Sequence, residues 1–304
     1  GQQQRWQDPV AFGAMAIGAI ALVAFPFLMR RPHPLVPLGL FRIRSFSTIN
    51  LATLLIYGAL YASGGFQALF LQNTLGYTPL GAAIVGLPSG ILLTILSTRV
   101  GSLSGRLGVR PFLIAGPLVM AAGSLWWLTV QSTAKPWAAS LGNPASLVPP
   151  IDALIGPLPA GIIFGIGISL LVAPLTTALM GSVPVRNSGI ASAINNALSR
   201  VGQPLVAAAV FIAVSGTFYA ALASAVPGTD PNAPELRAYD ALNPPPKGAP
   251  VELVEATKVA STAAYHTAVI VSALLLVAGA VVNAVGLRQP GRGRAPSAER
   301  APPS

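Results

Sequence analysis

Seven runs of apolar residues divide the chain, at 9–29, 46–72, 78–98, 111–130, 158–180, 187–222 and 263–287. A helix needs about 20 such residues to cross about 30 Å of hydrocarbon, and only a helix or a closed barrel satisfies its backbone there. Each run therefore predicts a transmembrane helix. Residues 30–45 hold Pro32, Pro34 and Pro37 beside Arg42 and Arg44. That is too proline-rich to be helical throughout and too polar to span, so a linker is expected. Beyond it come three runs, a connection over 131–157 rich in proline, glycine and serine, and three more runs. Three plus three with odd-numbered topology is the pattern of an inverted repeat. The connection over 223–262, with Pro227, Pro231, Pro234 and Pro244-Pro245-Pro246, is expected to be extended or disordered. The fold class expected is an all-α polytopic membrane protein, with one extra helix at 1–29, a linker at 30–45, a six-helix bundle at 46–287 and a disordered tail at 288–304.

Composition sharpens this and removes several function classes. Apolar residues make up 53% and charged residues 9%, with a mean hydropathy of +0.67, against roughly 25% charged in an ordinary soluble domain. The net charge of +10 sits in the gaps between apolar runs, not on one soluble face interleaved with aromatics, so no nucleic-acid partner is expected. No cysteine and two lone histidines, His33 and His266, leave no thiol nucleophile and no zinc-type cluster; no metal and no cofactor are expected. No aspartate or glutamate lies inside the seven runs. Intramembrane acids are the usual sites of proton or cation coupling, and a hydrolase would need a paired acid or a nucleophile with its base. The chain does not read as an enzyme. Its first methionine, Met15, is already inside an apolar run, so the C-terminal part of a longer protein is expected, with any coupling acid in the preceding part.

Charge also orients the chain. If 101–110 faces the cytoplasm, Arg30, Arg31, Arg42, Arg44, Arg99, Arg106, Arg110, Arg186, Arg288, Arg292, Arg294 and Arg300 fall inside, twelve of eighteen basic residues. Seven of the eight acids then fall outside, with Glu299 the exception. Positive charge gathers on the cytoplasmic side of short loops, so the expectation is a multi-pass protein of the plasma membrane, residue 1 outside and the C-terminus inside. Trp6, Trp126, Trp127 and Trp137 all come near outer helix ends, where an interfacial aromatic belt would put some of them.

Two helices carry polar stripes. At about 100° per residue, Tyr57, Tyr61, Gly64 and Gln72 fall within about 40° of Asn50. On the sixth helix, Ser192, Arg200 and Gln203 fall within about 40° of Asn196, with Ser199 somewhat farther round. Such a face is costly in lipid and should look into protein or a water-filled cavity, either as polar glue between helices or as the lining of a substrate cavity. Arg200 reads either as a snorkelling side chain or as a buried partner for an anionic group or a carbonyl. Gly202 and Pro204 mark an expected kink, and Gly161, Gly165 and Gly167 an expected close-packing face.

The turn Gly101-Ser102-Leu103-Ser104-Gly105-Arg106-Leu107-Gly108-Val109-Arg110 resembles the G-x-L-x-D-R-x-G-R-K signature of the major facilitator superfamily. The match is at Gly101, Leu103, Arg106, Gly108 and Arg110, with Gly105 at the aspartate position and Val109 at the first late basic position. Pro34 to Phe46, Phe70 to Pro79 with Leu87-Pro88, and Gly189 to Gly202 are similar to passages of the fourteen-helix drug:proton antiporters, so the resemblance covers nearly everything from Arg30 to Val210. It implies that the first helix is an extra central helix and the other six are the C-terminal bundle, with the proton-handling acids in the missing N-terminal half. It further implies alternating access and a central site lined by the second, third, fifth and sixth helices. The function expected is the C-terminal half of a proton-coupled efflux transporter for an amphipathic or cationic small molecule. Tyr57, Tyr61, Gln72, Asn196 and Arg200 are its cavity candidates, and the 101–110 motif a cytoplasmic gate anchored by Arg106 and Arg110. A major-facilitator importer of a sugar or organic anion, and a non-transporting fragment, are the alternatives. A seven-helix retinal protein is disfavoured, because 263–287 contains no lysine.

Overall fold

The structure, a computed structural model, describes residues 9–28, 37–225, 236–246 and 248–287. The first part of the linker, part of the second long connection, the tail and the residues before Pro9 lie outside the described residues, and with them Trp6, His33 and the arginines at 30, 31 and from 288 onward. The helices are α1 (Pro9–Leu28), α2 (Arg44–Leu69), α3 (Pro79–Leu107), α4 (Arg110–Trp126), the short α5 (Ile151–Ile155), α6 (Pro157–Gly181), α7 (Ser188–Ala225) and α8 (Val251–Gly286). Among the described residues six helical stretches, those built on α2, α3, α4, α6, α7 and α8, are long and apolar enough to cross a membrane.

Local chemistry sets the ends. The Thr78 hydroxyl accepts from the Gly81 amide at 3.1 Å and Pro79 occupies the first turn, which together start α3. That helix stops at Gly108, whose φ of +83° suits glycine. The motif at 101–110 is thus mostly helix: α3 runs on to Leu107, and only Gly108 and Val109 separate it from α4. Pro157 opens α6 and Pro250 precedes α8. A π-turn over Phe70–Thr74 closes the run from α2.

α3 and α4 pack on α6; α2 packs on α7 and α8; α4 and α8 join the two sets. Exchanging α2 with α6, α3 with α7 and α4 with α8 turns α2·α7 into α6·α3 and α2·α8 into α6·α4, while α4·α8 maps onto itself. That is the adjacency an inverted three-plus-three repeat requires. The α7·α8 contact departs from it, having no counterpart of similar extent between α3 and α4. Glycines let the backbones close: a Cβ on Gly161 would meet the Val85 carbonyl at 3.0 Å, on Gly165 the Ser89 Cα at 2.7 Å, and on Gly167 the Met120 amide nitrogen at 2.5 Å. The expected small-residue face of α6 therefore serves two neighbours, α3 and α4.

The core has two centres. One, at the arginine-rich end, gathers Phe46, Ile49, Leu113, Met120, Leu171 and Leu276. The other, toward the loops, stacks Phe70 on Tyr265 with centroids 4.1 Å apart and sets Trp127 edge-on to Tyr265 at 5.6 Å.

Three expectations change. The last helix starts at Val251, so Glu252, Glu255 and Lys258 sit on a helical extension and not in a loop. Residues 236–246 pack on the bundle instead of trailing free: Leu236, Tyr239 and Leu242 are buried, the Tyr219 hydroxyl donates to the Tyr239 carbonyl, and the Arg237 guanidinium lies 4.2 Å from the Tyr219 ring centre. Trp127 and Trp137 are buried, which leaves Trp126 as the exposed tryptophan among the described residues; the Trp137 carbonyl accepts from the Thr78 amide and hydroxyl, so this tryptophan ties the 131–150 loop to the start of α3. α7 is continuous through Gly202 and Pro204, and Gly202 is where Leu54 of α2 presses in, leaving no room for a Cβ.

Candidate functional site

The α2 stripe changes from buried to exposed along its length. Asn50 is 2% exposed and Tyr57 half-buried, whereas Tyr61 is 51% exposed and Gly64 and Gln72 are exposed as well. The division follows from where α7 lies. Val206 packs where a Cβ on Gly58 would be (2.5 Å), and Asn195 donates from one amide to the Asn50 carbonyl at 3.1 Å and the Thr53 hydroxyl at 3.0 Å. Asn50 and Thr53 in turn donate to the carbonyls of Phe46 and Ile49. A buried polar cluster therefore joins α2 to α7, and about two to three helical turns farther along α2 Tyr61 looks outward.

On α7 the residue facing the bundle is Asn195, not Asn196. Asn196 and Arg200 are exposed, lying about 100° and 140° round the helix from Asn195. Arg200 has no acidic partner among the described residues. The contact of Leu54 with Gly202 puts Arg200 level with about residue 52 of α2, some eight residues and about 12 Å beyond Arg44. Of the five cavity candidates, Tyr61, Gln72, Asn196 and Arg200 thus stand on uncovered faces of α2 and α7, and Tyr57 lies partly beneath them.

The motif residues also separate. Gly101 faces α6, with a would-be Cβ 3.6 Å from Ala173, while Leu103 and Arg106 are exposed. Arg110 turns inward and donates to the Ala284 carbonyl at 2.7 Å; Arg44 donates to the Val285 carbonyl at 2.8 Å. Both cations thus hold the last turn of α8, whose carbonyls have no partner within the helix and which is the negative end of its dipole. With Gly105 at the acidic position of the signature, Arg110 is secured by a helix end in place of a carboxylate. Behind it opens a cavity of about 800 Å3 lined by Ser45, Ser104, Gly108, Arg110, Thr177 and Ser182. No group of three or more histidine, cysteine, aspartate or glutamate side chains converges on a point among the described residues.

Near the opposite end, the buried Tyr77 hydroxyl has no hydrogen-bond partner, and burial together with the Asp152 charge pushes its pKa up to about 12. His266 is held by the Val130 carbonyl, 2.9 Å from its Nε2. The sequence reasoning missed Asn195, because two adjacent asparagines differ by only about 100° on a helix that is apolar on most sides.

Interlocked helices with a buried polar seam, uncovered polar faces and an arginine-braced end define a multi-pass α-helical membrane protein. The chain is 30% identical over 197 residues to the MFS-type transporter YhcA of Bacillus subtilis, 64% of this chain and 34% of that protein. It is 29% identical over 206 residues to the multidrug resistance protein Stp of Mycobacterium tuberculosis (67% and 35%), and 29% over 234 residues to the puromycin resistance protein pur8 of Streptomyces alboniger (75% and 42%). Over about two thirds of its length the chain is similar to transporters of the major facilitator superfamily. It spans about a third to two fifths of the length of the curated relatives it matches. No family model matches it.

Proposed function

We propose that the chain is the C-terminal bundle of a proton-coupled multidrug or small-molecule efflux transporter that works by alternating access. One observation carries the reading: Tyr61 on α2 and Arg200 on α7 are uncovered between the two ends of the bundle, with Asn196 nearer the arginine-rich end and Gln72 at the far end, and lipid is a poor solvent for such side chains. Their natural counterpart is a second bundle across a water-filled cavity. The multidrug and puromycin resistance proteins among the relatives support small amphipathic or cationic compounds as cargo, and the Tyr61 ring offers a cation a favourable face. The same uncovered face carries the Arg200 charge, so the acid that neutralises it and handles the proton belongs to the other half. In this reading 1–29 is the extra central helix, 30–45 a cytoplasmic linker and 288–304 a cytoplasmic tail. The arginine-rich end faces the cytosol in the plasma membrane, with Gly101, Leu103, Arg106, Gly108 and Arg110 as the gate.

The test uses the intact parent in inverted membrane vesicles. Tyr57→Ala, Tyr61→Ala and Gln72→Ala should each change the ranking of cationic dyes and neutral drugs taken up, with protein levels maintained, and a protonophore should stop uptake. Unchanged uptake of every compound in all three variants would retire the cavity assignment; uptake that survives the protonophore would retire the proton coupling.

A further inference from the structure

A second cavity, of about 160 Å3, lies inside the bundle near the loop end, bounded by α2, α3, α4, α6 and α8. Its mouth follows from the packing. α3 lies on α6 while α2 lies on α7 and α8, leaving a cleft between α2 and α3. Gly64 of α2 and Gly86 of α3 line that cleft, both are exposed, and a Cβ on either would meet nothing within 4 Å. The floor is deep: Tyr265 is 2% exposed and Ser124 4%.

The polar groups there are not all occupied. Ser89 donates to the Gly161 carbonyl at 2.7 Å and Ser63 to the Leu60 carbonyl at 3.1 Å. The Tyr265 and Ser124 hydroxyls and the Gln67 amide line the same space and have no hydrogen-bond partner among the described residues. Tyr265 and Ser124 are buried and Gln67 partly so, and polar groups that line one cavity without a protein partner are free to bond a ligand that enters it. The remaining wall is apolar and aromatic, with Trp127 and Phe164 beside Tyr265, and no charged side chain reaches it. An apolar cavity of about 150 Å3 holds benzene in another protein, so one ring fills this one.

We propose that this cavity binds a small neutral aromatic molecule bearing one hydrogen-bonding group, of the phenol class, entering between Gly64 and Gly86. The site belongs to the bundle itself and does not rest on the efflux reading; it holds or fails whatever the parent transports.

The experiment uses the full 304-residue chain in lipid nanodiscs, with 4-fluorophenol followed by fluorine NMR and 4-fluorotoluene as the comparator without a hydroxyl. Fluorophenol should bind one saturable site. Tyr265→Phe should weaken it about fivefold, the worth of one hydrogen bond, and bring it level with fluorotoluene. Gly64→Leu and Gly86→Leu should close the mouth and abolish binding, whereas Gly216→Leu, on α7 where a Cβ also meets nothing within 4 Å, should leave it unchanged. Uptake that never saturates, or that is equal in the Gly64→Leu, Gly86→Leu and parent chains, is partition into lipid or water-filled space and overturns the proposal. The two glycine variants add side chains in open space, so they decide the outcome even where a Tyr265→Phe chain folds poorly.

Discussion

Removing the Asn195 side chain discriminates sharply between the two asparagines of α7. Asn195→Ala deletes the amide that bonds Asn50 at 3.1 Å and Thr53 at 3.0 Å. Interhelical hydrogen bonds in bilayers average about 0.6 kcal/mol each. The larger cost is the Asn50 carbonyl oxygen, left without its donor in a residue 2% exposed, for which a stranded buried acceptor typically costs about 1–3 kcal/mol. The loss expected is therefore about 2–4 kcal/mol. Asn196→Ala, one residue on, removes an exposed side chain with no hydrogen bond to any described residue, and should change stability by less than about 0.5 kcal/mol. Both are read from equilibrium unfolding of the purified chain in micelles, by helical circular dichroism against added denaturing detergent. A cycle with Asn50→Ala should show that Asn50 and Asn195 are coupled by about 0.5–1.7 kcal/mol. Equal losses for the two asparagine variants, or a larger one for Asn196→Ala, would refute the seam between α2 and α7 and the outward placing of Arg200 with it.

Three further outcomes are expected. Gly167→Ala puts a methyl group 2.5 Å from the Met120 amide nitrogen and should cost about 1–3 kcal/mol by parting α4 from α6, while Gly90→Ala, with nothing within 4 Å, should be neutral or stabilising by up to about 1 kcal/mol in the same unfolding assay. Because the folded chain raises the Tyr77 pKa from about 10 to about 12, the stability tied to its neutral form is complete below pH 10 and drains as pH rises toward 12; the Tyr77→Phe chain should lose measurably less stability than the parent across that window in alkaline unfolding curves. If the arginine-rich end is cytoplasmic as proposed, Ser102→Cys should resist an impermeant thiol reagent on whole cells and Leu141→Cys, 80% exposed at the other end, should react; reversed labelling would overturn the orientation.

Much of the fold was legible in advance because a bilayer enforces it. A stretch of apolar residues that cannot pair its backbone with water must be helical, so Pro157–Gly181 was bounded from sequence to within a residue or so at either end. Legibility failed where the chain leaves hydrocarbon. The residues 251–262 read as loop because Glu252, Glu255 and Lys258 interrupt the apolar run, yet charge does not prevent a helix from continuing into water. The residues 236–246 read as free because prolines dominate, but three apolar anchors, Leu236, Tyr239 and Leu242, fix them to the bundle.

The candidate site shows the same boundary. That polar side chains lie on α2 and α7 is a property of the sequence, since residue type and helical period are both given by it. Which of them look at a neighbour was decided only in three dimensions. Gly58 and Gly202 admit Val206 and Leu54 and so fix the rotation of α2 against α7; that rotation turns Asn195 inward and leaves Asn196 and Arg200 outside, while on α2 Asn50 and Tyr61 share a face and differ in burial because they lie about 16 Å apart along the helix. The cleft at Gly64 and Gly86 arises likewise from what α2 and α3 each pack against elsewhere. Segment identity follows from local transfer energies, but facing depends on long-range complementarity, and no stretch of one helix contains the shape of the next.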